Sequence, residues 1–168
     1  MGRGDQPNMT PMLPSTPHEH PALALLPAAP TRGEIEAFGR YLQSLEAEHA
    51  PPDLSTRHHV VGGVYGRSVV IQADTFLVGL PHNEDHLCVC VGDITIWTEH
   101  GRQRLTGAHI LDGKAGAPRV GFAHADTTWL TVHARPAGAA TVADIEAALV
   151  QDPHLLLSRR LPAPEALQ

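Results

Sequence analysis

Aromatic residues are scarce in this chain of 168 residues, with two Trp, two Tyr and three Phe making up 4% of it. Tyr65, Trp97, Phe122 and Trp129 could line a ligand pocket, but with so few aromatics their default role is to fill a core. Cysteine is nearly absent. Cys88 and Cys90 sit two apart in a stretch that reads as a strand, so they point the same way and cannot easily close on each other. That fits a reduced, cytosolic setting in which both act as small buried hydrophobes. No apolar run approaches the roughly 20 residues needed to cross a bilayer. The patch from Ala22 to Ala29 is bounded by Pro21 and Pro30, is broken by Pro27, and lacks the basic start of a secretory signal. No block of one charge sign occurs either: eighteen acids against twelve bases give a net charge of −6 without clustering. Neither a membrane nor nucleic acid is therefore an expected partner.

Proline and histidine are plentiful by comparison. Residues 1–30 hold Pro7, Pro11, Pro14, Pro17, Pro21, Pro27 and Pro30 among small and polar residues, a composition that cannot bury enough apolar surface to fold alone. This segment reads as an extended arm. Over 31–50, Thr31 and Glu34 form a capping-box pattern, and Ile35, Phe38, Leu42 and Leu45 recur at helical spacing. The expected amphipathic helix ends near His49, ahead of Pro51 and Pro52. Its apolar stripe needs a partner, either the outside of the main fold or a neighbouring subunit.

Short β-branched stretches separated by turn residues follow over 56–136. Strands are expected at Val64–Ile71, Thr75–Leu80, His86–Val91, Asp93–Thr98, Arg102–Leu105, His109–Leu111, Arg119–Phe122 and Thr127–His133, with hairpin turns at Gly92-Asp93 and His100-Gly101. Many short strands without interleaved helices predict a mainly β fold, an antiparallel sandwich or barrel with one core at this length. In 137–168, Thr141 and Asp144 can open a second helix carrying Ile145, Ala148 and Leu149, and a shorter one is expected over His154–Arg160.

Two segments carry potential chemistry: Pro81-His82-Asn83-Glu84-Asp85-His86 and Pro118-Arg119-Val120-Gly121-Phe122-Ala123-His124. In a regular strand His82, Glu84 and His86 share a face. By the same counting, His133 falls on the opposite face from His124, so a ligand role for it needs a bulge; packing or surface placement is expected instead.

These segments resemble the two motifs of the cupin superfamily, whose members are double-stranded β-helix barrels. Gly79, Leu80, His82, His86 and Gly92 fall at the places of the first motif, although Leu80 stands for its first histidine and His86 for its glutamate. Gly113, Pro118, Gly121 and His124 fall at those of the second, with one extra residue between proline and glycine. The strings Gly63-Val64-Tyr65-Gly66-Arg67, Gly79 to His86 and Gly121 to Trp129 are also similar to small cupin-like proteins encoded by bacteriophages and prophages. That group is mostly without assigned activity.

The resemblance implies a cupin-type jelly-roll barrel with flanking N- and C-terminal α-helices, and a pocket in which His82, His86 and His124 bind a divalent transition metal. Three neutral imidazoles suit Zn, Fe, Ni, Cu or Mn and would leave positions for water or substrate; no organic cofactor is expected. Glu84 could add a charge or accept a proton. With twelve histidines in the chain, imidazoles that merely hydrogen-bond inside a barrel remain an alternative. Three functions stay open: a metal-binding protein with a small-molecule ligand and no evident catalysis, a metal-dependent enzyme, or a structural protein that assembles as a homo-oligomer or with phage structural proteins. The corresponding locations are the cytoplasm of a bacterial host or the virion.

Overall fold

The computed structural model describes residues 20–45 and 54–156. Helix α1 (Arg32–Leu45) precedes six strands, β1 (Arg57–Val61), β2 (Val64–Ile71), β3 (Thr75–Gly79), β4 (His86–Thr98), β5 (Gly101–Gly113) and β6 (Arg119–Ala134), and helix α2 (Val142–Leu149) follows them. All pairings are antiparallel, in the order β1-β2-β6-β4-β5, with β3 added alongside β6. The two halves of β6 have different neighbours on one edge. Residues Arg119 to Ala123 pair with β3, whereas Thr127 to Ala134 pair with β2. On its other edge β6 pairs with β4 throughout, so the sheet rolls around a shared interior. This is the mainly β, antiparallel class with flanking helices that the sequence predicts.

The roll is achieved by a bulge. Val91 pairs with Thr128, Asp93 with Ala125 and Ile94 with Ala123, so β6 gains two residues on β4 within a short span. Gly92 sits at the bend with φ +150°, and a Cβ there would lie 2.7 Å from the Thr127 Cα. Only glycine fits so close an approach. The buried Thr127 hydroxyl replaces lost ladder bonds, accepting from the Asp93 N–H at 3.1 Å and donating to the Ala125 carbonyl at 2.8 Å. Because two residues are inserted, alternation resumes on the same face: Ala123 and Trp129 both point inward, onto Val69, Ile71, Cys88, Cys90, Ile94 and Leu105.

The opposite face of the β6 N-terminal half, with Val120 and Phe122, is covered by α1. Thr31 caps that helix as expected: its N–H donates to the Glu34 carboxylate at 2.7 Å and its hydroxyl accepts from the Glu34 N–H at 3.3 Å. Ile35 and Phe38 pack with Trp97, Val120 and Phe122, and the Phe38 ring meets Phe76 edge-on at 5.1 Å. The apolar stripe thus finds its partner on the outside of the barrel. Burial of two such side chains stabilises the arrangement by about 1.5–3 kcal/mol each. At the other end, α2 opens on the Thr141–Asp144 capping box and packs Ile145 and Leu149 against Tyr65.

Several expectations change. Residues 20–30 of the expected arm are packed, since Pro21–Leu25 forms a 3-10 turn and Leu23 and Leu26 are buried with α1 against the sheet. Gly92-Asp93 is a bend within β4, so the paired short strands expected on either side of it are one; Arg102 to Leu111 and Arg119 to His133 likewise each belong to one long strand. The hairpin strand β1, joined to β2 by Gly62-Gly63, is an addition. The short helix expected over His154–Arg160 is represented by a 3-10 turn at Pro153–Leu155. The remainder of that expectation, residues 1–19 of the arm and the helix end at 46–50 lie outside the described residues.

Candidate functional site

β4 opens with His86, and the loop before it, from Leu80 to Asp85, carries His82. That loop is fixed by backbone contacts to the C-terminal helix. Asn83 donates through its N–H to Leu149 and through its amide Nδ2 to Ala148, each at 2.8 Å, and the Gln151 N–H donates to Pro81 at 2.9 Å. A further clamp comes from Asp85, which accepts from the Lys114 ammonium and the Ala115 N–H, both at 2.8 Å. Glu84 lies exposed in this loop rather than in a strand, so it does not share an inward face with the two histidines.

His86 and His82 meet His133, the penultimate residue of β6. The register explains why: Leu87 pairs with Val132, Cys88 with Thr131 and Cys90 with Trp129, so the inward row His86, Cys88, Cys90 lies beside the inward row His133, Thr131, Trp129. The three rings stack, with centroids 4.1 Å apart for His82 and His86, 4.8 Å for His82 and His133, and 4.7 Å for His86 and His133. One ligand-capable atom from each lies within 4.8 Å of the others. The expected third member, His124, is elsewhere. It sits on the opposite face of β6, where its Nε2 is 2.7 Å from the Thr95 hydroxyl and its ring meets Phe122 edge-on. Counting by twos separates His124 from His133 correctly, because the bulge adds an even number of residues and preserves parity; the face assigned to the interior is the reverse of the one observed.

Burial pushes the His82 imidazole down to about 3, aided by its neighbours His86 and His133 and by the Arg119 and Arg67 cations. His133 is pushed down to about 4 by burial and by His86. His86 is also lowered by burial, against the hydrogen bond it makes to the Glu84 carbonyl. At neutral pH the rings are therefore uncharged, the form in which imidazole ligates metals. His86 donates from Nδ1 to the Glu84 carbonyl at 3.1 Å, which leaves its Nε2 lone pair available. His82 Nδ1 and His133 Nε2 share one proton in a 2.8 Å hydrogen bond. His133 Nδ1 is buried without a hydrogen-bond partner among the described residues. The His86 ring also lies flat against the Gly113 backbone, where any Cβ would collide with it.

The imidazoles line a cavity of about 860 Å³ that continues toward α1. Tyr65 and Trp129 border it, whereas Trp97 and Phe122 pack on the α1 side of the sheet. Arg67 and Glu146 face each other in its wall at 3.6 Å. Among the described residues no carboxylate belongs to the histidine cluster itself, and this donor set suits a borderline transition metal better than magnesium or calcium.

No family model matches the chain, and no curated protein matches it. Solved structures do. A protein of Photorhabdus luminescens aligns at 16% identity over 42% of this chain and 62% of its own length, with a TM-score of 0.38. A cupin-2 domain protein from Shewanella frigidimarina aligns at 12% identity over 55% of this chain and 92% of its own, with a TM-score of 0.41. A sugar phosphate isomerase of the cupin superfamily from Silicibacter pomeroyi aligns at 18% identity over 45% of this chain and 53% of its own, with a TM-score of 0.38. The chain thus spans less than two thirds of the first and third of these proteins.

Proposed function

We propose that this chain is a cupin-like protein that binds one divalent transition metal through His82, His86 and His133 and uses the adjoining cavity for a small-molecule ligand. The observation that carries the reading is the convergence of three neutral imidazoles from a loop and two strands, with ligand-capable atoms within 4.8 Å of one another. A metal held by three protein ligands keeps coordination positions open for water or a ligand atom. The chain's own contribution is to hold the imidazoles uncharged and to fix the His86 tautomer through Glu84. Binding is the core of the proposal; an enzymatic version adds a reaction at the open positions.

Metal content of untagged protein, measured by mass spectrometry after reconstitution under reducing conditions, tests it. The expected content is about one equivalent, lost in His82→Ala and His133→Ala and retained in His124→Ala. Less than roughly one-tenth of an equivalent in the unaltered protein would overturn the reading.

A second reading, assembly, is favoured by the outer face of the same sheet. Val61, Val64, Leu87, Val91 and Ile110 are exposed there, Val61 at 75% and Ile110 at 73%, on β1, β2, β4 and β5, with the half-buried Leu130 and Val132 of β6 between the two strand pairs. Such a continuous apolar face suits a homo-oligomer, or a particle of the kind the phage-protein resemblance suggests. Ile110→Glu should then lower the mass measured by light scattering without altering the circular dichroism; an unchanged mass counts against this face.

A further inference from the structure

Arg119 is the first residue of β6 and lies on its inward face, half-buried in the wall of the cavity. Its surroundings differ from those of the other interior cation. Arg67 faces the buried Glu146 carboxylate at 3.6 Å. Arg119 has no carboxylate within ion-pair distance among the described residues: its NH1 donates to the Cys88 thiol at 3.4 Å, and its guanidinium lies over the Trp129 ring, 5.4 Å from the centroid. Among the described residues the thiol takes one of the guanidinium's five donors and the aromatic face takes none. Cys88 is the next inward residue after His86 on β4, so this contact sets the guanidinium on the side of the cavity that carries the imidazoles. Arg119 therefore presents a positive charge with no facing carboxylate among the described residues, while Leu77, Ile94, Ile96 and Trp129 supply apolar walls of the same cavity.

We propose that the cavity takes a small organic carboxylate, its anion held by the Arg119 guanidinium and its apolar body lying against Trp129 and Ile94, within reach of the three imidazoles. A planar carboxylate matches the guanidinium fork through two parallel hydrogen bonds. Phosphate is a poorer fit, because its second charge and additional oxygens require donors that a single guanidinium with apolar neighbours does not provide. At about 860 Å³ the cavity lies in the range that encloses small-molecule ligands. The inference rests on the metal reading for the role of the imidazoles, but the anion site requires only Arg119 and the cavity walls.

Calorimetric titration of the full chain, both metal-free and zinc-loaded, with hexanoate, hexanol and inorganic phosphate tests the proposal. Hexanoate should bind saturably, about tenfold or more tighter than hexanol, and phosphate should not compete with it. Arg119→Met should weaken hexanoate about tenfold or more while leaving hexanol unchanged, and Arg119→Lys should fall between them. Equal affinity for hexanoate and hexanol in the unaltered protein, or hexanoate binding unchanged in Arg119→Met, overturns the inference. The hexanoate and hexanol comparison remains decisive even if the Met variant fails to fold. Stoichiometric metal without carboxylate binding refutes this inference alone. Arg119-dependent carboxylate binding in a protein that takes up no metal refutes the metal reading alone.

Discussion

Lowering the pH from about 7 to 5 should destabilise the metal-free protein through its two most deeply shifted imidazoles. Folded His82 resists protonation down to about 3 and folded His133 to about 4, whereas both titrate near 6.5 once exposed. Below 6.5 the unfolded chain takes up protons that the folded chain refuses, so the stability present above 6.5 declines as the pH falls and is lost through the folded values. The slope is about 1.4 kcal/mol per pH unit for each ring, or about 2 kcal/mol per ring between pH 6.5 and 5. Because the rings share a hydrogen bond and titrate as a pair, about 4 kcal/mol is the upper bound for both together. That is a large fraction of the 5–15 kcal/mol typical of folded domains, about two fifths of the middle of the range.

Urea unfolding followed by emission from the buried Trp97 and Trp129 measures it, with the midpoint recorded across that pH range. The double variant His82→Gln, His133→Gln supplies the reference, since its other ten histidines of the original twelve remain in place. Amides retain hydrogen-bonding capacity without titrating, so the variant should lose most of the acid sensitivity. Equal pH slopes in the two proteins would refute the reasoning, because they would mean that the folded chain protonates these rings as readily as the unfolded one.

Saturating zinc should raise the urea midpoint of the unaltered protein at neutral pH, by about 2.7 kcal/mol at a free concentration one hundred times the dissociation constant, and should not raise that of the double variant. Gly113→Ala forces a methyl into the His86 ring; the expected cost is about 1–3 kcal/mol in urea unfolding, with zinc affinity weakened in the same variant. Phe38→Ala removes a ring buried against Phe76 and Val120 and should cost about 3–5 kcal/mol. Because Phe38 is on the far side of the sheet from the imidazoles, metal stoichiometry in that variant should be unchanged.

The sequence was most legible where a local signal coincided with the final environment. Thr31 with Glu34 and Thr141 with Asp144 are contacts over three residues, and both caps form. Strand boundaries were less legible because Gly92 and Gly107 resemble turn residues, while in the structure both occur at positive φ inside long strands. His133 illustrates the harder problem. Both alternating sets of the β6 C-terminal half are suited to burial, Trp129, Thr131 and His133 on one face and Leu130 and Val132 on the other. Polarity alone does not identify the inner one. The usable signal lay in β4: once Cys88 and Cys90 are placed inward, antiparallel pairing brings Thr131 and Trp129 beside them, and His133 follows beside His86. His82 was harder to place by pattern, since its position depends on the loop's backbone bonds to residues beyond Ala148.

The same alternation separates the two functional readings. Along β4 the inward residues His86, Cys88 and Cys90 build the pocket, while Leu87, Val89 and Val91 face outward; along β6 His133 and Trp129 build the pocket, while Val132 and Leu130 face outward. Neighbouring residues on one strand therefore act on opposite sides of a sheet one layer thick. A substitution on the outer face changes what the sheet can dock without removing an imidazole, and one on the inner face changes ligation without altering the exposed apolar area. Metal content and oligomeric mass are consequently independent measurements, and a negative result for one does not argue for the other. A substitution that moved both would indicate a change in the strand register itself, since a one-residue slip exchanges the two faces along its whole length.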